Sequence, residues 1–450
     1  MSAQMLRHTL DVLKQEKFLL ECDREVDYVY EMGAVLKHFD NKRPILFNKV
    51  KNGVMRTAGG LYGDREILYK LLGVSKENRN ARFLNALTRP MPYEILSSGP
   101  VKENVAKRNV DLMRLLPVSK FQEKDASNFI TAGVLVLKDP ETGRFFTSIR
   151  RMQVQKGNVL SVLIASPKLT NDFLEVEKQD KPLEVAVVFG YDAPFLMASQ
   201  YPSATYGVDK YELDSALRGE PLQLVRCETK DLLVPAQAEV VLEGVMVPGK
   251  RELEGPFGEL MGYYGGQAQH PIVEIDALTY RNDPIYQTAF PCREEHLSNG
   301  LIREMELFYF LKNQVDVVDV NVTEGGGYRF NAVVSVRKGK LGTGKTVILA
   351  SLGLNKDLKQ VVVVDDDVDI YDPRDIEWAI TTRTQAAKDF VIVPGALGST
   401  LDPSHGLRGM TDKLGIDATK DPERTELFER AAIPGFEKID ISKYFSNTTL

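Results

Sequence analysis

The sequence predicts a mixed α/β (α+β) protein, in which a strongly curved sheet or β-barrel is followed by an α/β sandwich. Three observations support this fold class. Apolar residues recur at helical spacing in parts of the first 115 residues, whereas apolar and polar residues alternate between Asn128 and Phe290. From Val315 onward, short apolar runs alternate with helical patterns. A chain of 450 residues is long enough to bury two or three cores.

The first part of the chain mixes both kinds of element. Its predicted helices and one of its short strands are MLRHTLDVL, VDYVYEMGAVLKHF, DREILYKLLGV and PILFNKV. The middle part is mainly strand, with turn signals such as DPETG and one helix near TNDFLEVEKQ. Its predicted strands are ITAGVLVLK, RFFTSIRRMQVQ, VLSVLIAS, LEVAVVFG, AEVVLEGVMV and HPIVEIDALTY.

A helix over SNGLIREMELFYFLKN, capped by Ser298 or Asn299, connects the middle part to the last one. There, VDVVDVNV, FNAVVSVR, VVVVDD and FVIVPG predict strands, and PRDIEWAITTRTQAA predicts a helix. The polar C-terminal segment predicts an arm that packs on another subunit. We therefore divide the chain into an N-terminal part, a central part, a linker helix, a C-terminal domain and an arm, at residues 1–115, 116–297, 298–314, 315–435 and 436–450.

Composition excludes several functions. A net charge of −6 and a pI near 5.7 argue against a nucleic-acid partner, which needs a basic face. Cys22, Cys227 and Cys292 form no paired pattern, so we predict a reducing cytoplasmic setting with neither disulfides nor a zinc site. The N-terminus does not resemble a signal peptide, and the sequence has no run of 18 apolar residues, so we predict no membrane partner.

One segment suggests a nucleotide-binding function. GKLGTGKT, from Gly339 to Thr346, fits the phosphate-loop pattern G-x-x-x-x-G-K-[ST], with Lys345 at the phosphate-binding position. A predicted strand precedes it, and VVVVDDDVD supplies carboxylates for Mg²⁺ further along. However, only about a hundred residues follow, too few for most of a nucleotide-binding sheet. A phosphate-loop ATPase is therefore an alternative from a different class.

The most unusual stretch is ELEGPFGELMGYYGG, from Glu252 to Gly266. Glu254 and Glu259 flank Gly-Pro-Phe-Gly, a sequence that must turn, so both carboxylates can enter one cleft. Neighbouring like charges raise the pKa of one of them, which leaves a carboxyl group able to hold a proton near neutral pH. The alternative is a glycine-rich surface turn with solvated glutamates.

Two adjacent arginines lie in TSIRRMQVQ. Strand alternation predicts Arg151 on the face of Thr147 and Ile149, and Arg150 on the opposite face. One arginine must then point into the barrel, where its charge needs a partner. A structural ion pair is the alternative to a functional role.

Five segments, some of them already described, resemble successive landmarks of the UbiD family of reversible decarboxylases, in family order from Arg150 to Lys420. They are RRMQV, RGEPLQLVRCETKDLLVPAQAEVVLEG, EGPFGELMGYY, VVVVDDDVDIYDPRDIEWAITTR and DKLGIDATK. TAGGLYGDREILYKLLGV resembles the family too. The resemblance implies a cofactor domain with a split β-barrel (FMN-binding split-barrel-like), a linker helix and an α/β C-terminal oligomerisation domain. It also implies prenylated FMN as cofactor, and it places GKLGTGKT in a domain that binds no nucleotide.

The family's catalytic set falls on Arg151, Glu254 and Glu259, with Glu259 as the acid that protonates the carbon. The resemblance further implies a cofactor-binding set of Thr147, Ser148, Ile149, Arg150, Arg151, Pro167, Lys168 and Lys210. A catalytic set that is intact argues against a non-catalytic flavin-binding subunit.

The metal site departs from the family pattern. Family members usually bind a divalent ion against the cofactor phosphate through Asn, His and Glu, and these positions fall on Phe146, Lys168 and Lys210. None of these side chains is a ligand for Mn²⁺ or Mg²⁺, so we assign no metal ligands and expect two lysines to pair with the phosphate directly. A monovalent cation is a further candidate cofactor. The alternatives are a slipped alignment at Lys168, or ordinary surface lysines.

The substrate is assigned from AFPCREEHLSNGLIREMELF, where family pockets vary. His296 can donate to a ring oxygen or carboxylate, and Arg303 can clamp a second carboxylate. This combination resembles furan-2,5-dicarboxylate decarboxylases, which release 2-furoate and CO₂. The alternative substrates are pyrrole-2-carboxylate or another aromatic or acrylic acid. The alternative role for His296 is as a neighbour of the helix cap, without contact to a ligand. The resemblance also implies a flavin prenyltransferase as the cofactor source, and a homodimer or a hexamer of dimers.

Overall fold

The computed structural model describes residues 4–53, 55–107, 110–164, 167–202, 207–291, 294–337 and 339–444. Cys292 and residues 445–450 of the predicted arm lie outside the described residues. The helices are Met5–Gln15, Glu31–His38, Arg65–Leu72, Arg79–Thr88, Leu112–Leu115, Pro167–Glu177, Ala193–Gln200, Lys210–Arg218, Glu294–Lys312, Thr343–Leu354, Pro373–Arg383 and Ala386–Asp389.

The described strands form a nine-stranded central sheet, a five-stranded C-terminal sheet and three smaller sheets. They are Leu20–Cys22, Ile45–Phe47, Arg56–Gly59, Glu94–Ile95, Asn104–Ala106, Phe129–Ile130, Val134–Lys138, Phe145–Ile149, Met152–Val154, Val159–Val162, Leu183–Phe189, Gln223–Arg226, Leu233–Pro235, Val240–Glu254, Phe257–Gly258, Tyr264–Gly265, Ala268–Tyr280, Ile285–Gln287, Val317–Val322, Asn331–Val336, Gln360–Asp365, Phe390–Leu397 and Met410–Ala418.

The central sheet is a half-barrel, and this confirms the mixed α/β fold with a curved middle part. Its spatial order is Phe129–Ile130, Met152–Val154, Val159–Val162, Ala268–Tyr280, Val240–Glu254, Leu183–Phe189, Val134–Lys138 and Phe145–Ile149, and Asn104–Ala106 also pairs with the fourth of these. The two longest strands pair antiparallel, with bulges that increase the local twist. At one bulge, a Cβ on Gly244 would lie 2.3 Å from the Glu274 carbonyl oxygen, so only glycine fits.

Both faces of this sheet are buried. Val134 and Val136 belong to one apolar core, which they share with N-terminal helices and with helix Ala193–Gln200. Leu135 and Leu137, which point the other way, belong to a second core. Alternate residues of the strand therefore face two different cores, and neither face of the sheet is open to solvent here.

The predicted strand through RFFTSIRRMQVQ is interrupted, so the alternation predicted for its arginines is wrong. One strand ends at Ile149 and the next begins at Met152, with both arginines in the connection between them. These two strands pair at opposite ends of the sheet order, since Phe145–Ile149 pairs with Val134–Lys138 and Met152–Val154 pairs with Val159–Val162. The arginines therefore lie at the seam where the ends of the half-barrel approach each other.

The linker helix begins earlier than predicted, at Glu294, so neither Ser298 nor Asn299 caps it. Its first half contributes Leu297 and Leu301 to the first core, and its second half contributes Leu307 and Leu311 to the core of the C-terminal domain. Because one rigid helix enters both cores, burial on two sides determines its length more strongly than local capping does.

The C-terminal domain contains a five-stranded sheet among its described residues, in the order Val317–Val322, Asn331–Val336, Gln360–Asp365, Met410–Ala418 and Phe390–Leu397. The three middle strands are parallel and the two outer ones antiparallel to their neighbours. Beyond it, the described part of the arm forms only short 3₁₀ turns with exposed apolar side chains such as Phe436 and Tyr444. No helix in the described part of the chain is long and apolar enough for a membrane span.

Candidate active site

Arg151 lies between the two predicted glutamates. Its Nε and Nη2 donate to the two carboxylate oxygens of Glu254 at 2.7 and 2.6 Å, and its Nη1 donates to Glu259. The side chain of Glu254 is 1% exposed and that of Glu259 is 19% exposed. The structure thus brings Arg151 together with two glutamates that lie more than a hundred positions further along the chain, one carboxylate buried and the other partly exposed.

The turn between the glutamates depends on specific glycines and on two buried side chains. Gly255 has φ +90°, and a Cβ there would lie 2.4 Å from the carbonyl oxygen of Gly266. The Gly255 amide donates to Gln153 Oε1 at 2.8 Å, and the Gly258 amide donates to Asp125 Oδ1 at 2.9 Å. These contacts fix the excursion between two long strands. The interpretation of ELEGPFGELMGYYGG as a solvated surface turn is therefore not supported for Glu254.

The guanidinium of Arg151 also packs on aromatic rings, 4.8 Å from the centre of Phe257 and 6.0 Å from that of Phe129. Sequence patterns assigned no role to His270, yet its Nε2 lies 4.0 Å from Glu254. Burial lowers the pKa of His270, although Glu254 acts in the opposite direction. In the paired strands, His270 lies opposite Glu252, two residues before Glu254. The sequence could have indicated this proximity only if the register of the two strands had been known.

Lys210 is buried in the region where the sequence predicts that the cofactor phosphate binds. It is 3% exposed, and its Nζ donates to the carbonyl oxygens of Thr147 at 2.8 Å and Ser199 at 2.9 Å. The ring centre of Phe146 lies 4.9 Å from the same Nζ. Burial, followed by the charge of Arg150, lowers the pKa of Lys210 to about 7.

Arg150 and two hydroxyls complete this region. Burial lowers the pKa of Arg150 to about 10, and its Nε has no hydrogen-bond partner among the described residues. The same is true of the buried hydroxyls of Ser148 and Ser199. Buried donors that lack an acceptor fit a ligand with several acceptor oxygens, such as a phosphate group.

Lys168 has different partners from Lys210. Its Nζ lies 2.8 Å from carboxylate oxygens of both Asp139 and Asp172, and it is part of a helix that begins at Pro167, a residue whose side chain is outside the described part of the chain. Although burial opposes it, pairing with these two carboxylates raises the pKa of Lys168. Two carboxylates already neutralise Lys168, so its contribution to phosphate binding stays a prediction with a competing structural role.

The two predicted substrate residues lie on the linker helix. His296 is partly buried in its first turn. Arg303 is buried, donates to Asp357 at 3.0 Å and to the carbonyl oxygen of Tyr328 at 3.3 Å, and shares Asp357 with Arg329. A clamp role for Arg303 stays a prediction, because the ion pair with Asp357 accounts for its charge in this conformation.

The phosphate-loop segment has no anion site in the described residues. The carboxylate of Asp417 packs against Gly344, where a Cβ would lie 2.1 Å from Asp417 Oδ1, so a negative charge adjoins the first helical turn. The candidate Mg²⁺ ligands are also engaged, because Arg383 pairs with Asp365 at 3.1 Å and with Asp367 at 2.8 Å. The geometry does not support the ATPase alternative.

The structure thus places an Arg–carboxylate set at the seam of a half-barrel, beside a region with a buried cation. The chain also matches three sequence profiles of the 3-octaprenyl-4-hydroxybenzoate carboxy-lyase: the N-terminal domain over residues 10–87, the Rift-related domain over 94–294 and the C-terminal domain over 296–418. The chain therefore belongs to the UbiD family, whose members are decarboxylases.

Solved structures and curated proteins agree with this assignment. The UbiD-class enzyme HmfF from Pelotomaculum thermopropionicum, in complex with FMN, is 40% identical, with a TM-score of 0.95 over 98% of this chain and 100% of that chain. An evolved dimeric form of HmfF in complex with prFMN is 38% identical, with a TM-score of 0.91 over the same 98% and 100%. The anhydromevalonate phosphate decarboxylase of Methanothermobacter thermautotrophicus is 35% identical over 429 residues, 95% of this chain and 99% of that protein.

The chain is accordingly a carboxy-lyase, and the HmfF structures that it resembles are in complex with FMN and with prFMN. Its own residues fit that group. Three donors without a partner among the described residues, on Arg150, Ser148 and Ser199, suit a phosphate group, as does the buried ammonium of Lys210. Arg151, which binds the two glutamates, is the next residue after Arg150.

Proposed function

We propose that this protein decarboxylates a heteroaromatic acid without net oxidation, converting furan-2,5-dicarboxylate to 2-furoate and CO₂. The observation that carries the proposal is the bridge from Arg151 to Glu254 and Glu259, which puts a buried carboxylate and a partly exposed one on the same guanidinium. This arrangement can hold one proton next to a reacting carbon while keeping the local charge balanced.

Prenylated FMN, when bound, supplies an electron sink for the pair of electrons that CO₂ leaves behind. The protein residues then have separate tasks. Arg151, held on one side by two short hydrogen bonds to Glu254, orients Glu259. Glu259 donates its proton to the carbon that has lost CO₂, which completes the balance of one carboxylate and one proton giving one C–H bond and one CO₂.

Glu259 must regain a proton after each turnover. Its partial exposure gives it access to solvent, whereas the burial of Glu254 makes that carboxylate a fixed charge that holds Arg151. Because the reverse reaction needs the same groups, with Glu259 accepting the proton, we expect carboxylation of 2-furoate at high CO₂ concentration.

We assign substrate recognition chiefly to His296, at the start of the helix that joins the central and C-terminal domains. Arg303 would first have to release Asp357 to reach a second carboxylate. Pyrrole-2-carboxylate and other aromatic or acrylic acids are the alternative substrates. The similarity to an anhydromevalonate phosphate decarboxylase adds a phosphorylated acid to the set that needs testing.

The test uses the full-length protein loaded with prenylated FMN. CO₂ release and product formation are measured for furan-2,5-dicarboxylate, 2-furoate, pyrrole-2-carboxylate, 3,4-dihydroxybenzoate and anhydromevalonate phosphate. We expect the highest kcat/KM for furan-2,5-dicarboxylate. A higher value for any other acid would overturn the substrate assignment, and no turnover of any acid by the loaded protein would overturn the activity itself.

We also propose a cytoplasmic homo-oligomer, either a dimer or a hexamer of dimers, that receives its cofactor from a flavin prenyltransferase. The C-terminal domain exposes large apolar side chains on a sheet edge and on neighbouring segments, which supports contact with further copies. These include Leu341, Leu349, Ile392, Leu397 and Leu407. Analytical ultracentrifugation that finds only monomer at micromolar concentration would contradict this.

A further inference from the structure

We propose that Lys210 and Arg150 bind the cofactor phosphate directly, in place of the divalent ion that family members usually use there. The inference rests on the cofactor and not on the substrate, so it can be tested without any turnover. It also revises the expectation that Lys168 and Lys210 share this task.

Lys210 is a buried cation whose charge is not balanced within the described residues. An ammonium has three N–H donors, and here two of them bind the carbonyl oxygens of Thr147 and Ser199. Carbonyl groups satisfy hydrogen bonds without cancelling a charge, and no described carboxylate forms an ion pair with Lys210 at its 3% exposure. One donor therefore remains for an anionic oxygen.

Arg150 brings a second positive charge next to the first. The two cations influence each other, since the charge of Arg150 is one of the causes that lower the pKa of Lys210. Among the described residues, Arg150 forms no ion pair and its buried Nε binds no acceptor. Two neighbouring cations without a carboxylate destabilise a folded protein unless an anion joins them, and a phosphate dianion matches their combined charge.

Two hydroxyls extend the same site. Ser148 lies between Thr147, whose carbonyl binds Lys210, and Arg150, and Ser199 supplies the other carbonyl that binds Lys210. Both hydroxyls are buried and have no partner among the described residues. Buried hydroxyls are normally hydrogen-bonded, so this pair fits donors that complete the shell of a phosphate group.

The side chains at the family's metal positions do not suit a dication. Phe146 offers a ring, whose centre lies 4.9 Å from the ammonium of Lys210, and neither group supplies the oxygen ligands that Mg²⁺ or Mn²⁺ requires. Lys168, at the remaining family position, is held by Asp139 and Asp172. A positive charge supplied by protein side chains thus occupies the place of a positive charge supplied by a metal.

The experiment compares FMN with riboflavin, which lacks only the phosphate, by flavin fluorescence with the apo protein. In wild type we expect FMN affinity to be unchanged by EDTA or added Mn²⁺, with far less than one equivalent of Mn, Mg or other divalent metal in the loaded protein. Lys210→Met should weaken FMN about ten- to hundredfold while leaving riboflavin affinity unchanged.

Lys413→Met is the matched control. Lys413 is also a buried lysine, 4% exposed, that donates to two carbonyl oxygens, but it lies in the C-terminal domain. We expect it to leave FMN affinity unchanged. Equal losses for FMN and riboflavin in Lys210→Met would mean that Lys210 only supports the fold. Release of FMN by EDTA from wild type, or a stoichiometric dication in the loaded protein, would overturn the proposal even if no variant folds.

Discussion

Replacing Glu259 with glutamine removes a proton donor while changing little else. The glutamine carbonyl oxygen can still accept the hydrogen bond from Arg151 Nη1, and Arg151 keeps both of its bonds to Glu254. Arg151 stays paired with the carboxylate of Glu254, so the substitution leaves no buried charge without a partner. We therefore expect Glu259→Gln to fold and to bind its flavin normally.

The effect on catalysis should be far larger than the effect on stability. A positioned general acid contributes about 10²- to 10⁴-fold to the rate. Apart from Glu254 and Glu259, no carboxyl group among the described residues accepts a hydrogen bond from Arg151. Decarboxylation by Glu259→Gln should fall by that factor. Exchange of the ring hydrogen of 2-furoate with deuterium from the solvent should fall with it, since exchange uses the same proton transfer.

The measurement combines CO₂ release, deuterium exchange followed by NMR, and cofactor occupancy from the visible spectrum. Glu252→Gln is the matched control, because Glu252 is an exposed glutamate on the same strand, two residues before Glu254. We expect that control to retain full activity. Turnover by Glu259→Gln within tenfold of wild type, with the flavin bound, would refute the role of Glu259 as proton donor.

Three further outcomes are expected. Arg151→Met leaves the buried carboxylate of Glu254 without its ion-pair partner. In chemical denaturation of the apo protein, it should therefore lower the free energy of unfolding by about 3–5 kcal/mol. A loss below about 1 kcal/mol would contradict the ion-pair argument. His296→Asn should reduce kcat/KM for furan-2,5-dicarboxylate by up to about a hundredfold with little change in cofactor affinity, and an equal loss for pyrrole-2-carboxylate would mean a structural role. Burial lowers the pKa of Lys210 to about 7, and a bound phosphate favours the charged form of this lysine. As the pH rises above 7, FMN affinity should therefore fall by up to about tenfold per pH unit. Riboflavin affinity should stay constant over the same range.

Local patterns in the sequence were sufficient to predict the turn that carries the two glutamates. Gly-Pro-Phe-Gly favours a turn, so the sequence alone indicated that the chain changes direction between Glu254 and Glu259. The helix predicted over DREILYKLLGV is equally local, because Asp64 caps it through the Glu66 and Ile67 amides. Periodicity, turns and caps depend on neighbouring residues only, and those parts of the fold follow from the sequence.

Long-range contacts decided the rest. Arg150 and Arg151 are chemically identical neighbours, yet the seam of the half-barrel directs one to two glutamates and leaves the other without a carboxylate partner among the described residues. Lys168 and Lys210 looked interchangeable in the sequence, but the fold gives Lys168 two aspartates and Lys210 two carbonyl oxygens. The partners of Lys210 come from other elements, one of them 63 positions away. The sequence by itself determined which residues can carry charge and chemistry, and the tertiary structure decided which charges are neutralised and which remain to bind an anion, because neutralisation depends on contacts between segments that only folding brings together.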